Sequence, residues 1–124
     1  MSLTLELFLN GNMCRLSMLK RPNRCEAGEF IQKYKKDDAR YYKKLFALLE
    51  RIAEHGPLRH NETQFKRIRP NLYEIKSSQA RLFCFYEEDR HLVITHGALK
   101  KGNTRVQDQE IDKAEKLRDE FLNQ

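Results

Sequence analysis

Residues 71–101 read NLYEIKSSQARLFCFYEEDRHLVITHGALKK, and the alternation within this stretch decides the fold. In 72–76, Leu72, Glu74 and Lys76 face one way while Tyr73 and Ile75 face the other, the period of a strand. Residues 77–80 turn the chain, and 81–86 form a second strand rich in aromatic residues. The polar run 87–90 is read as a hairpin loop, 91–96 as a third strand, and Gly97 as the residue that releases the chain. Connections this short require antiparallel neighbours, because a parallel crossover needs a dozen residues or more. Such a sheet gathers Glu74, Lys76, Arg81 and His96 into one neighbourhood.

Outward from this core, 3–9 alternates as a strand, Asn10-Gly11-Asn12 offers left-handed turn residues, and 13–19 returns, so that 1–22 reads as a hairpin. Two helices are expected in 23–56. The first is short, 26–34, with Asn23 and Glu26 in capping-box spacing. The second begins at Asp37-Asp38 and carries Tyr41, Leu45, Leu48, Leu49 and Ile52 on one face at 3.6 residues per turn. Gly56-Pro57 stops it. Residues 58–70 form a basic connection with Arg59, Lys66, Arg67 and Arg69. A last helix, 107–124, presents Ile111, Ala114, Leu117, Phe121 and Leu122 on its apolar side, with Thr104 and Gln107 spaced as a capping box. The order strands, helices, strands, helix describes a single α+β domain over 1–124, with the sheet core at 71–101.

Composition narrows the function. Residues 1–106 hold 21 Lys/Arg against 12 Asp/Glu, whereas 107–124 hold three against six, so a basic body carries an acidic tail helix. A basic body favours a polyanionic partner, although charge alone does not separate RNA from DNA or acidic lipid. No apolar run approaches the ~20 residues of a membrane span, and the first residues lack a signal peptide's basic start and apolar core. A cytoplasmic protein without membrane partners is expected. Cys14, Cys25 and Cys84 lack C-x-x-C spacing and read as reduced thiols rather than a disulfide frame or a zinc site; no metal or other cofactor is expected.

The motifs Leu72-Tyr-Glu-Ile-Lys76, an Arg opening the next aromatic strand, His96-Gly-Ala-Leu-Lys-Lys101 and the helix start Gln107-Asp-Gln-Glu-Ile-Asp-Lys-Ala114 resemble the RelE superfamily. Within it, the sequence is most similar to the phage-derived, HigB-like toxins of type II toxin–antitoxin pairs. The likeness runs over 65–114 and is thin before Gly28. Ala98 stands where those toxins commonly have Phe, and Arg105-Val106 where many have a Pro.

The resemblance implies a RelE-like antiparallel-rich sheet with helices on one face and a C-terminal helix. It further implies an mRNA endoribonuclease acting in the ribosomal A site, silenced by a small antitoxin with a helix-turn-helix. By residue type alone, Arg81 is equally a structural partner of Glu74 and a guanidinium for a phosphate; the resemblance favours the phosphate. Lys76 and Glu74 pair a cation with a carboxylate on one face, either to move protons or as an exposed pair of small energetic worth. His96 is either an acid or base near neutral pH or, as is commoner for a lone His at a strand end, structural. These four are the catalytic candidates, with assignment among Glu74, Lys76 and His96 open. Lys66, Arg67, Arg69, Lys100 and Lys101 are the RNA-binding candidates; Phe65 and Tyr73 stand near enough to stack on a base, although core packing is the favoured reading for both. Catalysis requires Arg81 and Lys76 to face a common hollow that solvent reaches. Two other readings remain: a non-catalytic RNA- or ribosome-binding protein on the same basic surface, and an inactive phage-derived interaction module.

Overall fold

Continuous apolar runs in the central strands, Leu82 to Phe85 and Leu92 to Ile94, leave neither face of the sheet fit for water, so both must be covered. The computed structural model describes residues 2–57, 61–100 and 104–124, the last segment with side chains from Gln107 onward. The elements are β1 (Thr4–Asn10), β2 (Arg15–Lys20), α1 (Glu26–Asp37), α2 (Ala39–His55), β3 (Phe65–Arg69), β4 (Leu72–Ser77), β5 (Ala80–Glu88), β6 (His91–Leu99) and α3 (Thr104–Leu122). They form an α+β fold whose six-stranded sheet has the order β1-β2-β6-β5-β4-β3. Every neighbouring pair is antiparallel except β2 and β6, which run parallel from Arg15↔His91 to Met18↔Ile94. The short-loop argument holds for β4 to β6, but the amino-terminal hairpin joins through a long connection and is free to enter in the parallel sense.

Helices α1 and α2 cover one face, burying Ile31, Tyr34, Leu45, Leu49 and Ile52 against Leu16, Ile75, Leu82, Cys84 and Ile94. Helix α3 covers the other. Leu117 packs with Leu3, Leu19, Phe85 and Val93, and Ala114 with Leu72 and Phe83. Each large apolar side chain sealed in these layers contributes roughly 1.5–3 kcal/mol.

Several expectations are corrected. Residues 65–69, expected within a basic connection, form edge strand β3; the charges at Lys66, Arg67 and Arg69 and the register shift between Arg67 and Arg69 leave no apolar alternation to read. The β5–β6 hairpin is tighter than expected, because β5 continues to Glu88 and only Asp89 and Arg90 turn. Gly97 does not release the chain but lies inside β6, where a Cβ would sit 2.4 Å from the Phe30 ring of α1. None of Asn10, Gly11 and Asn12 is left-handed. Gly11 is needed because α2 presses on it, the Ala53 carbonyl oxygen lying 2.2 Å from where a Cβ would stand. The first helix runs on to Asp37 and starts from Cys25, not Asn23, without a side-chain cap. In α2 the apolar stripe holds except at Tyr41, which is 40% exposed, while Tyr42 packs on the core. Leu122, expected on the apolar side of α3, is likewise largely exposed. Gly56 ends α2 at φ 79°, its N–H bonded to the Ile52 carbonyl.

Candidate functional site

Alternation along β4 and β5 puts Leu72, Glu74, Phe83 and Phe85 on the α3 face, and the Lys76↔Arg81 pair continues that register toward the β4–β5 turn. Continued alternation along β6 would send His96 to the opposite face with Ile94. The pairing instead skips Thr95, matching Phe83 with His96 and Cys84 with Ile94. This bulge turns His96 to the α3 side, where its ring stacks on Phe83 at 5.0 Å.

The result is a cluster. The Glu74 carboxylate lies 3.8 Å from Arg81 Nε, and Arg81 Nη1 donates to the carbonyls of Ser78 at 2.7 Å and Ala80 at 2.9 Å. His96 Nε2 meets a Glu110 carboxylate oxygen at 3.0 Å, and Nδ1 faces the Thr95 hydroxyl at 3.1 Å. Since a carboxylate only accepts, the neutral ring is assigned with its proton on Nε2. Burial pushes the His96 pKa below the ordinary histidine value and outweighs the upward pull of Glu110. A neutral His96 at pH 7 can accept a proton through Nδ1.

Helix α3 closes the cluster from above. Gln107 Nε2 donates to Glu74 at 2.5 Å, Glu110 holds His96, and Lys113 reaches Glu26 of α1 at 2.5 Å. Burial alone would raise the Glu26 carboxyl, but the hydrogen bond and charge of Lys113 bring it below the usual range. Exposure is only 9% for Arg81, 6% for Glu74 and 2% for His96. Lys76, partly exposed, lines a groove of about 450 Å³ whose walls include Lys44, Arg51, Ser77 and Ser78. Among the described residues, Arg81 is not a wall of that groove, so the common hollow expected for Lys76 and Arg81 is not formed there.

The RNA-binding candidates are dispersed. Lys66 is exposed on β3 opposite Glu74. Arg67 lies on the α1/α2 face beside Phe65 and Tyr73, in a second hollow of about 480 Å³. Arg69 is held by Asp112 at 2.8 Å and Glu115 at 3.0 Å, both from α3. Lys100 is exposed, and its backbone N–H donates to Gln79 at 2.8 Å, which fixes it beside the β4–β5 turn near Lys76 and Arg81. Lys101, Arg59 and the side chain of Thr104 lie outside the described residues.

Sequence reasoning missed Thr95, Gln107, Glu110, Lys44, Arg51 and Arg90. The spacing of Lys44 and Arg51, seven apart on the polar side of α2, was a readable clue; nothing local marks Glu110 as a partner of His96. Also unforeseen is a chain from Ser17 Oγ to His91 Nε2 at 2.7 Å and from His91 Nδ1 to Glu87 at 3.1 Å. The connectivity is that of a serine nucleophile and its base, but Ser17 is 2% exposed, so the chain fastens the parallel strands β2 and β6. Glu87, Glu88 and His91 have metal-ligand spacing, yet the Glu88 carboxylate is taken by Arg15 at 2.8 Å and His91 by Ser17. Among the described residues no helix is long and apolar enough to cross a membrane.

Residues 32–119 match the family model of the phage-derived Gp49-like proteins (DUF891). The match spans α2, strands β3 to β6 and most of α3, and leaves out the hairpin β1–β2. No curated protein matches the chain.

Proposed function

The chain belongs to the phage-derived Gp49-like family, which is associated with toxins of toxin–antitoxin pairs, and from this premise we propose that it is a toxin that cleaves messenger RNA on the ribosome. Within the wider RelE-like toxins we place it in the HigB-like group. The observation that supports cleavage is the convergence of Glu74, Arg81 and His96 on one sheet face, with Lys76 and Lys100 beside the adjoining turn. The hollow that Arg81 and Lys76 must share is not formed among the described residues in this arrangement, so the reading requires α3 to move and open it.

The chemistry needs no metal. The ribose 2′-oxygen attacks the adjacent phosphorus in line; the O2′–P bond forms as the P–O5′ bond breaks, giving a 2′,3′-cyclic phosphate and a free 5′-hydroxyl. One group takes the 2′-proton and another delivers a proton to the departing 5′-oxygen, the roles open to Glu74, Lys76 and His96. Arg81, with Lys100 or Lys101, balances the charge that builds on the phosphorane. Proton transfer is typically worth ~10²–10⁴-fold and a positioned charge about 3 kcal/mol, so weak groups on a rigid sheet suffice once the ribosome orients the strand. Gln107 and Glu110 occupy the ground over Glu74 and His96. RNA therefore reaches the cluster only when the first turns of α3 shift; the ribose 2′-hydroxyl can then donate to Glu74 in place of Gln107, and a phosphate oxygen can accept from His96 Nε2–H in place of Glu110. A cognate antitoxin, a helix-turn-helix protein in this reading, holds the toxin silent in the cytoplasm.

A second reading has its own support: the Arg81 guanidinium already bonds two backbone carbonyls and faces Glu74, as a structural ion pair would. The protein is then a non-catalytic RNA- or ribosome-binding protein. The two part on one experiment, induction in a bacterium with and without the neighbouring gene, with primer extension across translated messages. The toxin reading expects growth arrest and new 5′ ends that both vanish in Lys76→Ala. Normal growth with intact messages under strong induction would remove it, and arrest without strand breaks would leave the binding reading.

A further inference from the structure

We propose that the hollow between the end of α2 and strands β3 to β5 is a nucleotide-binding site, taking an aromatic base on its tyrosine-lined wall and a phosphate between Arg67 and Arg90. This site lies on the α1/α2 face, the opposite face from Glu74 and His96, and does not depend on the cleavage reading.

Three features carry it. The first is the wall. Phe65 and Tyr73 stack at 5.1 Å and 12°, Tyr86 meets Tyr73 edge-on at 5.3 Å and 81°, and all three are half-buried, packed on the core behind them and lining the hollow in front. A planar base adds to such a wall with little ordering cost, and each stacked base is worth about 1–3 kcal/mol. The second is charge. Arg67 and Arg90 line the same hollow, both are exposed, and neither forms an ion pair with another described residue. This sets them apart from Arg69, which α3 neutralises. Arg90 also holds φ 65° at the two-residue β5–β6 turn, a conformation that Asn or Gly adopts at lower cost. The third is size. About 480 Å³ falls within the range of small-molecule sites and exceeds what a lone anion fills. Glu62 also lines the hollow, and its carboxylate can accept from ribose hydroxyls.

A base bearing a phosphate comes from two sources, a free nucleotide or a single-stranded RNA. The chain has no Trp, and two of its five tyrosines, Tyr73 and Tyr86, line the hollow, so binding there removes part of the tyrosine emission. The full-length protein is titrated with adenosine monophosphate, with a five-nucleotide single-stranded RNA, and with inorganic phosphate. Saturable quenching by the nucleotide, weakened about tenfold or more in Arg67→Glu/Arg90→Glu, is expected; phosphate alone leaves the emission unchanged. The double variant alters only exposed side chains, and an unchanged unfolding midpoint confirms that it folds. Tighter binding of the RNA than of the mononucleotide assigns the site to a strand, and the reverse order to a free nucleotide. Absence of saturation by either, equal quenching by inorganic phosphate, or unweakened binding in the double variant overturns the proposal. Lys76→Ala separates the two ideas: the cleavage reading expects it to lose growth arrest, whereas the nucleotide site expects its quenching curve to match the parent.

Discussion

His96 shows how one side chain's surroundings set its chemistry. Burial under α3 keeps the ring neutral, and Glu110, Lys113 and Glu26 are the charged groups that act on it. The unfolded chain protonates this histidine near 6.5 while the folded one stays neutral to lower pH, so below that value the unfolded state binds more protons. The stability linked to His96 is therefore complete above the unfolded value and is lost as pH falls through the folded one. Each unit of depression is worth about 1.4 kcal/mol at most. Urea unfolding at pH 7.5 and 5.5 should show a drop in the parent that His96→Gln reduces; equal drops would mean that the histidine contributes nothing. The three cysteines divide in the same way. Cys84 is 0% and Cys14 3% exposed, and burial pushes both thiols above their ordinary pKa, whereas Cys25 is half-buried at the start of α1. Iodoacetamide on the native protein should modify Cys25 and spare the other two until denaturant is added, read by mass spectrometry of the digest.

Strand β6 and helix α1 depend on one missing side chain. Phe30 lies flat over Gly97 and cannot easily withdraw, because its ring stacks on Tyr34 at 5.6 Å and 17°. Gly97→Ala should destabilise the fold by ~1–3 kcal/mol, and adding Phe30→Leu should recover part of the loss. Denaturant midpoints across the four proteins of that cycle measure the coupling, and additive effects would show that the two residues do not interact. Nothing in the local sequence signals this contact. A glycine in a strand ordinarily reads as an interruption, and Gly97 looked like a strand end for that reason. The β3 strand was hidden for a related reason, since its Lys66, Arg67 and Arg69 resemble a loop until the neighbouring β4 gives them faces.

Taken as a molecule, the protein folds an acidic helix onto a basic body. Arg69 with Asp112 and Glu115, Lys113 with Glu26, and Arg21 with Glu120 tie α3 down from three sides. Solvated pairs of this kind contribute little each and weaken in salt, so the helix is held by charge as well as by Ala114 and Leu117. Replacing both partners of Arg69, as Asp112→Asn/Glu115→Gln, should lower the urea midpoint only slightly, because a solvated pair adds little to stability. It should also free a cation for polyanions, raising the salt needed to elute the protein from immobilised RNA. Faster hydrogen exchange in the first turns of α3 in this variant would agree with the shift that access to Glu74 and His96 requires, and unchanged exchange would argue against it.

Local patterns sufficed wherever a side chain's direction follows from its immediate neighbours along the chain. The apolar stripe of α2, its stop at Gly56-Pro57, and the alternation that sets Glu74 apart from Tyr73 and Ile75 are of this kind. Those patterns gave the α+β class and brought Glu74 and Arg81 together. They failed wherever distant segments meet. The skipped pairing at Thr95 moves His96 to the other face, the parallel entry of β2 beside β6 has no hairpin to announce it, and α3 covers the cluster with Gln107 and Glu110. The same limit separates Lys66 from Arg67, neighbours in sequence whose side chains serve opposite faces. Periodicity records only which side of its own element a residue takes; what waits on that side is set by packing between elements far apart in the chain.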